Sequence, residues 1–149
     1  MAALPNTSPI QTGPPRAMAP VAFTTANTNR DGTGTIADIV SNVSPLAPNG
    51  ALVRWISVCT TAASTITGAG MLRFYIHDGT TYRLFRELPV TAITPSATVK
   101  GWSLQTITGE ADISNGRWNL NMELPPGYKL GVSTHIGDAF VACASVADF

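Results

Sequence analysis

The sequence predicts an all-β chain folded as an antiparallel β-sandwich, with a jelly roll as the expected topology and an extended proline-rich arm ahead of it. Three observations carry this. Apolar and polar residues alternate with a period of two in several runs. Turn-forming groups punctuate those runs: Asp31-Gly32, Asn49-Gly50, Asp78-Gly79, Asn115-Gly116 and Pro125-Pro126-Gly127. No stretch offers an i, i+3, i+4, i+7 apolar stripe of useful length, so helix is expected to be nearly absent. About eight or nine short strands, with turns roughly every 8 to 12 residues, are the mark of a sandwich.

Residues Met1 to Pro20 hold five of the eleven prolines and only scattered apolar side chains. Proline removes donors and fixes φ, so this stretch reads as extended and polyproline-like, without regular structure, either a frayed terminus or a docking arm. The sandwich domain is expected over residues 21–149. Its first strands are read at Val21 to Thr25, Thr35 to Val40 and Leu52 to Thr60. In Met71 to Asp78, Leu72, Phe74 and Ile76 share the core face, while Arg73, Tyr75 and His77 share the outer one. Asp78-Gly79 then closes a hairpin into Tyr82 to Leu88, where Leu84 is expected in the core. Arg73, Arg83 and Arg86 are expected to pair outside with carboxylates such as Glu87 or Asp78. A strand is read at Thr98 to Thr106. The strictest alternation lies in Trp118 to Leu124, where each apolar residue is followed by a polar one. Tyr128 to Thr134 and Ala139 to Val146 complete the set. Of the three tryptophans, Trp118 and Trp55 are expected to be buried.

Nine Lys and Arg balance nine Asp and Glu, which leaves no basic field for nucleic acid or anionic lipid. Only 12% of residues are charged, about half of what an ordinary soluble domain of roughly 25% carries. Threonine, serine, asparagine and glycine replace the missing charge. No apolar run approaches the ~18 residues needed to span a bilayer, and the first twenty residues lack the apolar core of a signal peptide. A product made in the cytoplasm is therefore expected. Cys59 and Cys143 lie in apolar runs and read as buried small hydrophobes; cytosolic thiols stay reduced, so a disulfide between them is the minor alternative.

The usual chemical constellations give little. Gly32-Thr33-Gly34-Thr35-Ile36-Ala37 matches the dinucleotide fingerprint in letters, but a polar run precedes it and a Thr/Ile strand follows, so it reads as a turn. His77 and His135 with Cys59 and Cys143 would make four metal ligands, yet no pair has short ligand spacing. A serine elbow is absent, since Gly101-Trp102-Ser103 lacks the second glycine. The carboxylates are scattered, so no acid/base pair is proposed. No catalytic residue, cofactor or metal is expected from these residues, and neither is an enzyme.

Three stretches together carry a resemblance. They are Thr25-Ala26-Asn27-Thr28-Asn29-Arg30-Asp31-Gly32-Thr33-Gly34-Thr35, then Phe74 to Glu87 (FYIHDGTTYRLFRE), and Leu124-Pro125-Pro126-Gly127-Tyr128-Lys129-Leu130. Their order and spacing resemble small virion structural proteins encoded by tailed bacteriophages and prophages, over roughly residues 21–149. The likeness does not extend to the proline-rich arm or to Thr106 to Arg117, which reads as a lengthened loop. It implies a virion component, a head decoration (cement) protein of jelly-roll type that binds the major capsid protein lattice and assembles as a homo-oligomer, trimer or dimer. Nucleic acid and membrane are not expected partners. The arm would supply the partner contacts through Leu4, Pro5, Ile10, Pro14, Pro15, Arg16 and Met18. The alternative is a tail- or fibre-associated module that recognises a host-surface glycan through a groove lined by Tyr75, Tyr82 or Trp102.

Overall fold

The computed structural model describes residues 15–41, 49–62 and 67–149. Ten strands follow one another: β1 (Arg16–Ala17), β2 (Val21–Phe23), β3 (Ala37–Ser41), β4 (Ala51–Thr60), β5 (Gly70–His77), β6 (Tyr82–Val90), β7 (Ile113–Ser114), β8 (Arg117–Leu124), β9 (Lys129–Thr134) and β10 (Phe140–Asp148). They form two antiparallel sheets. Sheet A runs β1-β10-β4-β8-β7, with β2 also on β10; sheet B runs β3-β9-β5-β6.

The alternation read from the sequence places the core between these sheets. Val53, Ile56 and Val58 of β4, Trp118 and Leu124 of β8 and the inward residues of β10 meet Leu72 and Phe74 of β5, Leu88 of β6 and Val132 of β9. Phe74 and Trp118 bridge the two layers edge to face at 5.0 Å. Asp78-Gly79 closes the β5–β6 hairpin, with the Asp78 carboxylate accepting the N–H groups of Thr80 and Thr81 at 3.0 and 2.9 Å. Those bonds, with Arg83, hold the Asp78 carboxyl well below its ordinary value. Asn115 and Gly116 both take positive φ and join β7 to β8, as a two-residue hairpin loop requires.

Four expectations are corrected. Thr98 to Thr106 is not a strand. Ser96 turns the chain through its hydroxyl, Trp102 plugs into the core, and Leu104–Thr106 is one turn of 3-10 helix. Trp102, not Trp55, is fully buried beside Trp118. A bulge at Phe85 shifts the β5–β6 register between Tyr75↔Leu84 and Phe74↔Arg86. One extra residue exchanges the faces, so Leu84 lies outside with Tyr75, and Arg86 sits over the Trp118 ring, reaching Glu110 and Asp112. Finally, the residues before Val21 are not without regular structure: Arg16–Ala17 pair with Val146 and Ser145. The reason is that β10 offers an open row of backbone donors and acceptors there.

Candidate functional site

The two outer faces of the sandwich are built in opposite ways. On sheet B, residues 24–36, between β2 and β3, fold back as a roof. The Asn27 N–H donates to Thr134 O at 2.8 Å, which fastens the roof to β9. Its side chain ties the loop to itself, Nδ2 donating to Thr33 O and Thr35 O at 2.9 and 3.0 Å, and Oδ1 accepting from Asn29 N–H. Asp31 accepts both the hydroxyl and the N–H of Thr33, which lowers its carboxyl below the ordinary value. Gly32 has φ +86°, and a Cβ there would lie 1.9 Å from the Tyr82 carbonyl oxygen. The glycine letters that imitate a dinucleotide fingerprint are thus set by close packing, Gly32 against β6 and Gly34 against the Asn27 side chain.

Beneath the roof, Arg73 and Tyr75 point away from the core and yet are 5% and 0% exposed. Arg73 donates Nε to Glu87 at 2.8 Å and Nη1 to Asn27 O at 2.9 Å, while Nη2 lies 3.2 Å from His135 Nδ1. A guanidinium has no acceptor, so His135 Nδ1 takes that role. Arg30 reaches the other Glu87 oxygen at 2.6 Å. Tyr75 donates to Asn29 O and accepts from Ser133 Oγ. A buried cation is tolerated only when paired and hydrogen-bonded, and this one is. The arrangement is a lock: each polar group is directed at a neighbour within the chain rather than into open space. The adjoining cleft, about 410 Å³, has Met71 and Val90 beside Arg73 and His135.

The stretches that carry the resemblance meet in this lock. Arg30 pairs with Glu87, Tyr75 with Asn29, and Gly32 packs on Tyr82. Asp38 of β3 joins the third stretch to the second, since it accepts from both Tyr82 Oη and Lys129 Nζ.

Sheet A has no such roof among the described residues. Its outer positions alternate with the core residues of β4, β8 and β10. Trp55 is half-buried, with the Arg117 guanidinium 4.4 Å from its ring centre. Around it lie Ser57, Cys59, Val141, Cys143, Asn119 and Asn121. Every ion pair described above belongs to sheet B, its roof or the β6–β8 connection. Cys59 is exposed, against expectation, because it falls on this outer side; both thiols are free. Ser57 faces Cys143 and Cys59 faces Val141 in the register, so the two cysteines are diagonal neighbours. No three of His, Cys, Asp or Glu among the described residues come together as a metal would need.

Of the residues expected to bind a partner, Leu4, Pro5, Ile10 and Pro14 lie outside the described residues. Pro15 is exposed just before β1, and the Arg16 backbone is in β1. Met18 is half-buried, packs against this chain's own core, and donates its N–H to Ala144 O at 2.8 Å. The glycan groove also loses its walls, because Trp102 and Tyr75 are buried and Tyr82 is tied to Asp38. The Trp55–Arg117 face was missed from sequence. The outward set Arg117, Asn119, Asn121 and Glu123 was readable from the alternation, but nothing in one strand says which sheet face stays uncovered. A scan against protein-family models finds none that matches this chain, and a search of curated proteins finds no match.

Proposed function

We propose that this protein is a structural component of a tailed-phage virion, a capsid decoration (cement) protein of jelly-roll type that binds the outer surface of the major capsid protein lattice and stabilises it. The observation that carries this reading is the outer face of sheet A, unroofed among the described residues and centred on Trp55 and Arg117, beside a roofed and ion-paired sheet B in a chain only 12% charged. Interface cores are depleted of charge, and a net charge near zero favours association. Strand orders β2-β10-β4-β8 and β3-β9-β5-β6 are those expected of two interlocked Greek keys, which favours the jelly-roll reading. The resemblance of the three quoted stretches supplies the virion context.

The mechanism is mass action. A protein that binds only the assembled lattice stabilises it by its binding free energy, and repetition multiplies a modest contact. Leu4, Pro5, Ile10 and Pro14 are the contacts this reading assigns to the segment before β1. A cryo-EM map of the particle tests it: density on the head, with lower occupancy and heat resistance once residues 1–14 are removed, is the expected result. Density on the tail or a fibre would overturn it in favour of the glycan-binding module.

A further inference from the structure

We infer that the outer face of sheet A is an isologous interface to a second copy of this chain, the two sheets stacked about a two-fold axis that runs across the strands. It deepens the reading above, resting on it only in taking the protein to be self-assembling. Three features choose this occupant.

The first is area. The strands of sheet A carry 34 residues, and at roughly 4.8 by 3.4 Å per residue its face covers about 550 Å², near the lower end of what each partner gives to a specific interface. The second is composition. The centre carries half-buried Trp55 under the exposed Arg117, with exposed Arg54 beside it and neutral Ser57, Asn119 and Cys143 around it, and Trp and Arg are the residues on which interface energy concentrates.

The third is charge, which selects the axis. Arg117 and Glu123 stand near the two ends of β8, both exposed and both on the outer side of its alternation. In a two-fold interface each contact occurs twice, with exchanged partners. An axis along β8 would stack Arg117 on Arg117 and Glu123 on Glu123, and one along the central β4 would lay β8 over β10, with Arg117 over Cys143, Glu123 over Ala147 and neither over an opposite charge. An axis across them, through the level of Leu120, reverses β8 over β8 and places Arg117 of each copy over Glu123 of the other. Two sheets packed face to face keep their strands aligned within about 30°, so both pairings survive the twist. On β4 the same operation sets Leu52 over Ser57 of the second copy. Arg54 falls beside the axis and meets its own equivalent, the one repulsive contact on the face.

Sedimentation equilibrium of the full chain tests this. The wild type is expected to be a dimer, with Arg117→Glu and Glu123→Arg each weakening it at least tenfold. The double swap is expected to return to within about threefold of wild type, and Arg54→Gln to tighten it. A protein that is monomeric at ~100 μM or a trimer, or a double swap no better than the singles, overturns the inference. A second measurement does not depend on charge. With Cys59 and Cys143 replaced by Ser, Leu52→Cys chains and Ser57→Cys chains are expected to crosslink when mixed and not alone; crosslinking of either alone overturns the axis. A dimer in solution with tail density on the particle would leave this interface standing and remove the capsid reading; head density with a monomeric protein does the reverse.

Discussion

Tyr82 sits where the third resemblance stretch, the roof and the β5–β6 hairpin meet. Its hydroxyl donates to Asp38, whose other oxygen accepts from Lys129 Nζ at 3.0 Å, and its ring stands edge-on to His77 at 4.6 Å. Burial first, and then the hydrogen bond and charge of Asp38, push the phenol well above its ordinary value of 10.0. The sign follows from linkage. A group whose folded value is raised contributes stability that is whole below the unfolded value and is lost as pH rises through the folded one. Tyr82→Phe should therefore be less stable than wild type by about 1 kcal/mol at pH 7, a figure kept small by the partial exposure of the site. The deficit should shrink above pH 10. Urea titrations of both proteins from pH 7 to 11 check this, and a gap that stays constant or widens across that range would show that the phenol proton has no part in holding Asp38.

Within elements, the bulges decide more than propensity does. In β8, Asn121 takes φ +46°, and the β4–β8 register slips between Val53 and Trp55. A left-handed residue costs an ordinary side chain roughly 1–2 kcal/mol, which asparagine partly escapes and glycine avoids. Asn121→Gly should leave the thermal midpoint near wild type, whereas Asn121→Ala should lower stability by ~1 kcal/mol. Equal effects of the two in denaturant melts would mean the backbone there is not the constraint. The same physics separates what was legible in the sequence from what was not. Alternation in β5 and β8 named strands and inward residues because it is local. It could not place Leu84 or Arg86, since the bulge at Phe85 depends on how two strands meet. Arg73 and Tyr75 were correctly set on the outer side of β5, and the pairing of Arg73 with Glu87 was readable. That this outer side is buried depends on thirteen residues far upstream folding over it through Asn27, which no pattern within β5 records. Trp102 was misread for a related reason, because a loop tryptophan carries no period to say which way it points.

For the whole molecule, the edge of sheet A is where fold and assembly separate. β1 and β2 both lie along β10, and Phe23 stacks on Phe140 at 5.6 Å. Removing residues 1–14 leaves these contacts in place and should move the thermal midpoint by no more than about 2 °C. Removing residues 1–23 strips both strands, deletes a buried Phe worth ~3–5 kcal/mol and opens a bare row of backbone groups, which invites aggregation. At ~2–4 °C per kcal/mol for a chain of this size, that truncation should melt about 10 °C lower or precipitate. Calorimetry of the two truncations measures both, and a large loss from the shorter one would mean that residues 1–14 serve this chain's own fold. The difference matters for the capsid reading, because only a truncation that spares β1 and β2 can charge a fall in particle occupancy to lost contacts with a neighbour. A cut at residue 20, where the composition changes, would remove β1 and mix the two effects.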